Sequence, residues 1–404
     1  MKKPELLAPA GDPEKLRVAV AYGADAVYLG GKQMGLRAGA ANFDAAELSA
    51  GVAYAHREKV KVYVTVNSFA RNDDLELLPA FLETIGQAGA DGVIVSEPGV
   101  LTLCRRHIPE IPLHLSTQAN TTNWAAADFW AAQGVKRIIL ARELSLTEIE
   151  TIRRRVAGVE LEMFVHGAMC VSYSGRCLLS NYFTGRDANR GDCAQSCRWK
   201  YALTEEKRPG LFLPVEEDGQ GTYILSAADL CLLAQIPELT AAGIDSFKIE
   251  GRMKSVHYVA GVVKAYREAI DAYVNGTAAG ETPDGLEELS KVSHRPYCTG
   301  FLYGQPGNAP ADGDRLYQRE YSFIGLVREY EPETGLAVVE QRNHFAQGDQ
   351  IEIITPGGKL FQQKVENLCD LEGKAVTTAP HPQQLLKMPV AHPVSPYALL
   401  RKPV

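Results

Sequence analysis

The chain lacks any uncharged apolar run of the roughly 18–20 residues that a membrane-spanning helix needs, although 46% of its 404 residues are hydrophobic. Its first residues, Met1-Lys2-Lys3-Pro4-Glu5, lead into a strand-like stretch where a signal peptide would have an apolar core. A cytoplasmic protein with no membrane partner is expected. Positive charge is also in short supply. Against 49 Asp and Glu stand 42 Lys and Arg, a net charge of −7, which excludes indiscriminate attraction to phosphate backbones and leaves room only for a local basic site. Missing too are the His-Glu-x-x-His helix of zinc proteases, the Gly-x-Ser-x-Gly elbow of hydrolases and a phosphate loop ending in Gly-Lys-Ser/Thr.

What is present is a recurring phrase in which a helix stops at glycine and a β-branched run follows. It reads YGADAVYLGG at 22–31, AGADGVIVSEPG at 88–99, QGVKRIILAREL at 133–144 and AGIDSFKIEGR at 242–252. These are helix-to-strand joints of a parallel α/β fold. Further strands are predicted at Leu6–Ala10, Lys61–Asn67, Leu113–Gln118 and Glu160–Val165, each beside a helical stretch. The count of about eight over some 250 residues predicts a (β/α)8 TIM-like barrel. A doubly wound sheet is the runner-up, disfavoured because no Gly-x-Gly-x-x-Gly turn follows the first strand. The predicted organisation is a barrel over residues 1–275 with a cysteine-rich insertion at 166–222, a linker over 276–310, and a small antiparallel β-barrel or sandwich over 311–404. A strand at Tyr223–Ser226 is assigned to the barrel or its rim, and strands at Phe323–Val327, Ala337–Glu340 and Gln350–Ile353 to the C-terminal domain.

In such barrels the active site lies at the carboxyl ends of the strands. The polar residues there are Asn67, Glu97, Gln118 with Asn120, Arg142 with Glu143, His166, and Glu250 with Arg252 and Lys254. Singly, each is equally a solvated rim residue; together they describe a polar cavity. Arg142, Arg252 and Lys254, with Asn67, are the candidates for binding a small carboxylate or phosphate. His166, Glu250, Gln118 and Asn120 are the candidate catalytic groups, although a lone histidine is more often a structural hydrogen bonder.

Cysteine usage is uneven: of eight, Cys170, Cys177, Cys193 and Cys197 crowd into the predicted insertion. A reducing compartment argues against disulfides there. Four thiolates suit zinc or an iron–sulfur cluster, and the presence of a single tight Cys-x₃-Cys pair favours the cluster. Cys231 is a further candidate ligand. The insertion also interleaves Tyr173, Tyr182, Phe183, Trp199 and Tyr201 with Arg176, Arg186, Arg190, Arg198 and Lys200. Such a mixture could seat an RNA loop, by stacking bases on Trp199 and pairing phosphates with Arg186 and Arg190, or the aromatics simply pack around a metal.

The run EMFVHGAMCVSYSGRCLLSNYFTGRDANRGDCAQSCRWKY at 162–201 resembles the collagenase-like peptidase family, as do PELLAPAG at 4–11, LHLSTQANTTNWAA at 113–126, ARELSL at 141–146 and SFKIEGRMKS at 246–255. NHFAQGDQIEIITPGG at 343–358 and SPYALLRK at 395–402 are similar to one branch of it. The resemblance implies oxygen-independent, prephenate-dependent hydroxylation of the wobble uridine in the tRNA anticodon loop to 5-hydroxyuridine. It also implies a [4Fe-4S] cluster on Cys170, Cys177, Cys193 and Cys197, while the thiolate chemistry alone keeps zinc as the alternative metal. Related members act on a ribosomal RNA cytidine or a ubiquinone precursor, and the latter draw a ligand from the region of Cys231. A peptidase, as the family name states, and a zinc-stabilised RNA-binding module are the competing classes. Assembly into homo- or hetero-oligomers is left open.

Overall fold

The structure, a computed structural model, describes residues 3–32, 41–170, 172–174, 176–198, 203–204, 212–213, 216–218, 221–223, 228–276, 283–304 and 318–404. Eight parallel strands form a barrel: β1 (Glu5–Pro9), β2 (Ala26–Gly30), β3 (Lys61–Val66), β4 (Gly92–Val95), β5 (Leu113–Leu115), β6 (Arg137–Ile139), β7 (Glu160–Ala168) and β8 (Ser246–Ile249). Each pairs with the next, and β8 pairs in parallel with both β7 and β1, so the sheet closes. The doubly wound alternative is thereby excluded. β2 and β4 are buried along their whole length, as strands covered by helices outside and by the lumen inside must be.

Local chemistry sets the joints. Asp12 caps helix Pro13–Ala21 by accepting from the Lys15 amide at 2.9 Å. Ser145 and Glu148 form a reciprocal capping box on helix Leu146–Arg155. Each such cap contributes about 1 kcal/mol. Helix Asn72–Ala88 ends on Gly89 at φ 75°, a conformation any side chain would strain.

Three features differ from the sequence expectation. First, β7 runs on through His166 and Gly167 to Ala168, so the insertion starts later than predicted. Its pairing with β8 slips from Phe164↔Lys248 to His166↔Ile249, leaving Val165 as an extra residue. This bulge reverses the inside–outside alternation of the strand's last residues. Second, Gly221–Tyr223 pairs with Glu216–Asp218 in a separate hairpin, while residues 224–226 lie outside the described residues. The strand that does join the barrel sheet is Asp229–Cys231, antiparallel to β7, with Asp229 opposite Ala168 and Cys231 opposite His166. Third, the stretch expected as a linker holds helix Pro283–Ser290, packed on helix Val256–Val274, and Tyr297–Cys298, which extends the sheet beside Asp229–Cys231.

The C-terminal part is a six-stranded antiparallel sheet built from Tyr321–Glu331, Leu336–Gln341, Gln350–Ile354, Phe361–Lys364, Leu385–Pro389 and Leu399–Pro403. It has a core of its own, including Ile324, Val339, Phe345, Ile353 and Leu400. Fully buried Arg401 ties it to the barrel by pairing with Glu288, and the Tyr22 hydroxyl donates to the Ile354 carbonyl at 2.9 Å.

Candidate active site at the barrel mouth

The lumen of a (β/α)8 barrel is ordinarily filled with branched aliphatic side chains; this one carries charge. Inward positions alternate along β7 and β8, placing Glu162 and Lys248 face to face with Nζ and Oε1 2.9 Å apart. The other Glu162 oxygen accepts from Arg137 of β6 at 3.1 Å, and Arg137 also engages Glu5 and Glu160. Glu162 is 0% and Lys248 4% exposed. The Lys248 ammonium lies 4.4 Å from the Tyr28 ring centroid and 5.3 Å from that of Phe164. Burial pushes its pKa below the usual lysine value; Glu162 opposes that shift, while Arg137 and Arg252 add to it by repulsion. Sequence reading missed Lys248 and Glu162. The available signal was a charged residue at an inward position of an otherwise apolar strand.

Above this layer opens a cavity of about 600 Å³, walled by the strand ends on one side and by the cysteine insertion on the other. Arg252, 3% exposed, donates from Nη1 to Thr65 Oγ1 at 3.2 Å. A Cβ on Gly30 would stand 2.2 Å from that Nη1, so the guanidinium's berth exists because residue 30 has no side chain. Lys254 also lines the cavity, its ammonium 5.1 Å from the Tyr258 ring centroid. Arg142 lines it too, but donates to the Ala168 carbonyl at 2.9 Å and to Ser174 Oγ at 3.0 Å, tying the insertion to the strand. Asn67, Gln118 and Glu250 complete the wall. Asn67 donates to Ser116 Oγ at 2.9 Å, whereas its Oδ1 and Gln118 Oε1 are buried acceptors without a partner among the described residues. Buried acceptors of this kind on a cavity wall have room to take a donor from water or from a bound molecule.

Other predicted site residues are placed elsewhere. The β7 bulge turns His166 away from the cavity, into a nest of Tyr258, Tyr266 and Tyr297 rings centred 5.3–5.8 Å from it. There burial pushes its pKa down to about 3, so it is a neutral core residue at physiological pH. Asn120, in the left-handed region at φ 52°, donates to the carbonyls of Gln118 and Ser174 and does not line the cavity. Glu97 caps helix Pro98–His107. Arg186 reaches the cavity but pairs with Asp192, and Arg190 forms a two-pronged pair with Asp74 that fastens the insertion to helix Asn72–Ala88. Trp199, with Lys200 and Tyr201, lies outside the described residues.

Cys170, Cys177, Cys193 and Cys197 all line this one cavity. The Gln195 amide donates to Cys193 Sγ at 3.3 Å, a contact that suits a thiolate. Cys231 does not share the wall: it is 8% exposed, next to the Tyr266 hydroxyl, and burial raises its pKa. Among the described residues no three His, Cys, Asp or Glu side chains are gathered around one metal-sized point. The donor chemistry, four cysteine sulfurs outside any disulfide on one cavity wall, fits an iron–sulfur cluster or zinc.

Two family models cover nearly all of this chain. "Peptidase family U32" matches residues 11–311 and "Peptidase family U32 C-terminal domain" matches residues 319–401. The chain belongs to peptidase family U32. Among U32 relatives, tRNA hydroxylation protein P1 of Bacillus subtilis is 44% identical over 407 residues, covering 99% of this chain and 95% of that protein. tRNA hydroxylation protein P of Escherichia coli is 38% identical over 450 residues, covering 100% and 97%. The 23S rRNA 5-hydroxycytidine C2501 synthase of E. coli is 41% identical over 365 residues, covering 87% of this chain and 52% of that longer protein. The family expected from the cysteine motif is the family found. No helix among the described residues is long and apolar enough to cross a membrane.

Proposed function

We propose that this chain hydroxylates a base in RNA, with the wobble uridine of tRNA as the base and prephenate, a dicarboxylate, as the small co-substrate. The observation that carries the reading is that one cavity joins the cationic barrel mouth to all four clustered cysteines. Support comes from relatives named for tRNA hydroxylation that align over almost the whole chain.

In this reading Arg252 and Lys254 hold the carboxylates, each charge-assisted hydrogen bond contributing roughly 1.5–3 kcal/mol. The orphan oxygens of Asn67 and Gln118 accept from the N–H edge of a base turned out of its stack, which an anticodon loop releases at low cost. Cys170, Cys177, Cys193 and Cys197 would hold a [4Fe-4S] cluster, which supplies electron transfer when bound. The peptidase alternative finds no support at the mouth: no histidine is among the described residues lining the cavity to activate a serine or cysteine.

Nucleoside mass spectrometry of tRNA and 23S rRNA from a deletion strain tests the reading. Loss of 5-hydroxyuridine from tRNA, restored by the wild-type chain and not by Arg252→Ala, is expected. Unchanged tRNA with loss of a ribosomal hydroxycytidine would move the substrate to ribosomal RNA, and no change in either would overturn the proposal.

A further inference from the structure

Lys248 has no part in the function proposed above, and its position is costly. A lysine in a barrel lumen gives up its hydration, and an aliphatic residue of similar size would fill the space without that penalty. Lys248 nevertheless lines the cavity, as does Arg252, whose repulsion adds to the lowering of the lysine pKa. Among the described residues its one carboxylate partner, Glu162, is shared with Arg137, so the hold on the lysine proton is divided.

A buried amine, a carboxylate 2.9 Å away that can take its proton, and a guanidinium at the same cavity wall make a recognisable set. Guanidinium binds carboxylate; an amine beside it meets whatever carbon is attached. We propose that Lys248 forms a Schiff base with a 2-oxo carboxylic acid whose carboxylate is held by Arg252. This rests on reading the mouth as a carboxylate site. It deepens that reading by specifying a ketone next to the carboxylate.

The step balances within the residues present. The Lys248 ammonium passes one proton to Glu162, and its lone pair adds to the ketone carbon as the C=O π bond breaks; Glu162 protonates the new oxyanion and takes a proton from the nitrogen, which gives a neutral carbinolamine. Glu162 then returns the proton to the carbinolamine hydroxyl, which leaves as water. The products are an iminium ion, the Glu162 carboxylate that pairs with it, and one water; nothing is oxidised or reduced. The Tyr28 and Phe164 faces that flank the ammonium flank the iminium charge equally well. Burial, which lowers the lysine pKa, enlarges the fraction of reactive amine.

Borohydride trapping tests this on the full chain. Protein incubated with pyruvate, or with phenylpyruvate as a bulkier 2-oxo acid, is reduced with sodium borohydride and examined by intact mass and peptide mapping. One reduced adduct per chain, on Lys248, is expected, with none when lactate replaces pyruvate and none in Lys248→Arg. Should Lys248→Arg fail to fold, peptide mapping of the wild-type chain still decides the site. No adduct at saturating 2-oxo acid, or adducts only on exposed lysines, overturns the proposal. If trapping fails while Arg252→Ala still raises the carboxylate requirement of RNA hydroxylation, the covalent step falls and the carboxylate site stands. If Lys248 is trapped but the RNA is unmodified, the lysine chemistry stands and the RNA assignment falls.

Discussion

Replacing Gly30 with alanine isolates the role of the Arg252 berth. The added methyl would stand 2.2 Å from Arg252 Nη1, 3.1 Å from Thr65 Oγ1 and 3.3 Å from Asn42 Oδ1. Contacts between heavy atoms relax near 3.5–4.0 Å, so the guanidinium must retreat by roughly 1 Å or more. The backbone need not move, because the obstructed group is the far end of a long side chain and the cavity lies open beside it. The stability cost should therefore fall near the lower end of the roughly 1–3 kcal/mol typical of overpacking. Binding should suffer more. A displaced guanidinium forfeits a charge-assisted contact of roughly 1.5–3 kcal/mol, which is about a 10- to 100-fold loss of affinity. Calorimetric titration of the dicarboxylate against wild type, Gly30→Ala, Arg252→Ala and the double variant measures this, with thermal melts as the stability control. Gly30→Ala and Arg252→Ala should weaken binding alike, and the double variant should be no worse than Arg252→Ala, since both remove one interaction. Wild-type affinity in Gly30→Ala, or losses that add in the double variant, would refute the reasoning.

Protein purified without oxygen should be brown and carry about four irons; Cys197→Ser should abolish the colour while Cys231→Ser, altering a thiol behind the cavity wall, should keep it, and colourless protein with one stoichiometric zinc would refute the cluster. Burial holds the His166 pKa near 3, below its ordinary value of about 6.5, so its contribution to stability is complete above about pH 6.5 and is lost as pH falls toward 3, at about 1.4 kcal/mol per pH unit. The melting temperature of His166→Phe should thus fall less steeply than that of the wild type between pH 6.5 and 4, and parallel slopes would contradict this. Tyr182 is 81% exposed on the insertion, beside Phe183; Tyr182→Ala should lose about 1–3 kcal/mol of RNA binding if a base stacks there, measured by filter binding, with wild-type affinity as the contrary result. Arg186→Ala should weaken binding to all tRNAs alike and flatten its salt dependence, and an unchanged salt slope would remove Arg186 from the interface.

The barrel was legible because its signal repeats: glycine stops, caps and continuous apolar runs are local, and each recurs along the chain. The cations of the mouth followed from position alone, since a residue after a barrel strand has one place to go. His166 was misplaced because a bulge is invisible to alternation; one extra residue at Val165 moved its ring from the cavity to the core. Lys248 and Glu162 were overlooked for the opposite reason, since a charge inside an apolar strand contradicts the pattern used to find strands. Arg190 illustrates a third limit. Its partner Asp74 is 116 residues away in sequence, and spacing carries no information about such pairings.

The return of the chain along β7 bears on how this protein can vary. The excursion that carries the cysteines leaves the barrel at Ala168 and comes back antiparallel beside it at Asp229, so its two ends are hydrogen-bonded neighbours. Asp229 is further fixed by Arg295 at 2.7 Å. A loop whose feet are already joined feels a change of length only weakly, since closure entropy grows with the logarithm of residue number, by about 0.6 kcal/mol per doubling. Residues can thus be gained or lost between the feet without disturbing the strand register beneath. The barrel can keep its strand ends in register while the segment above them changes in length and sequence.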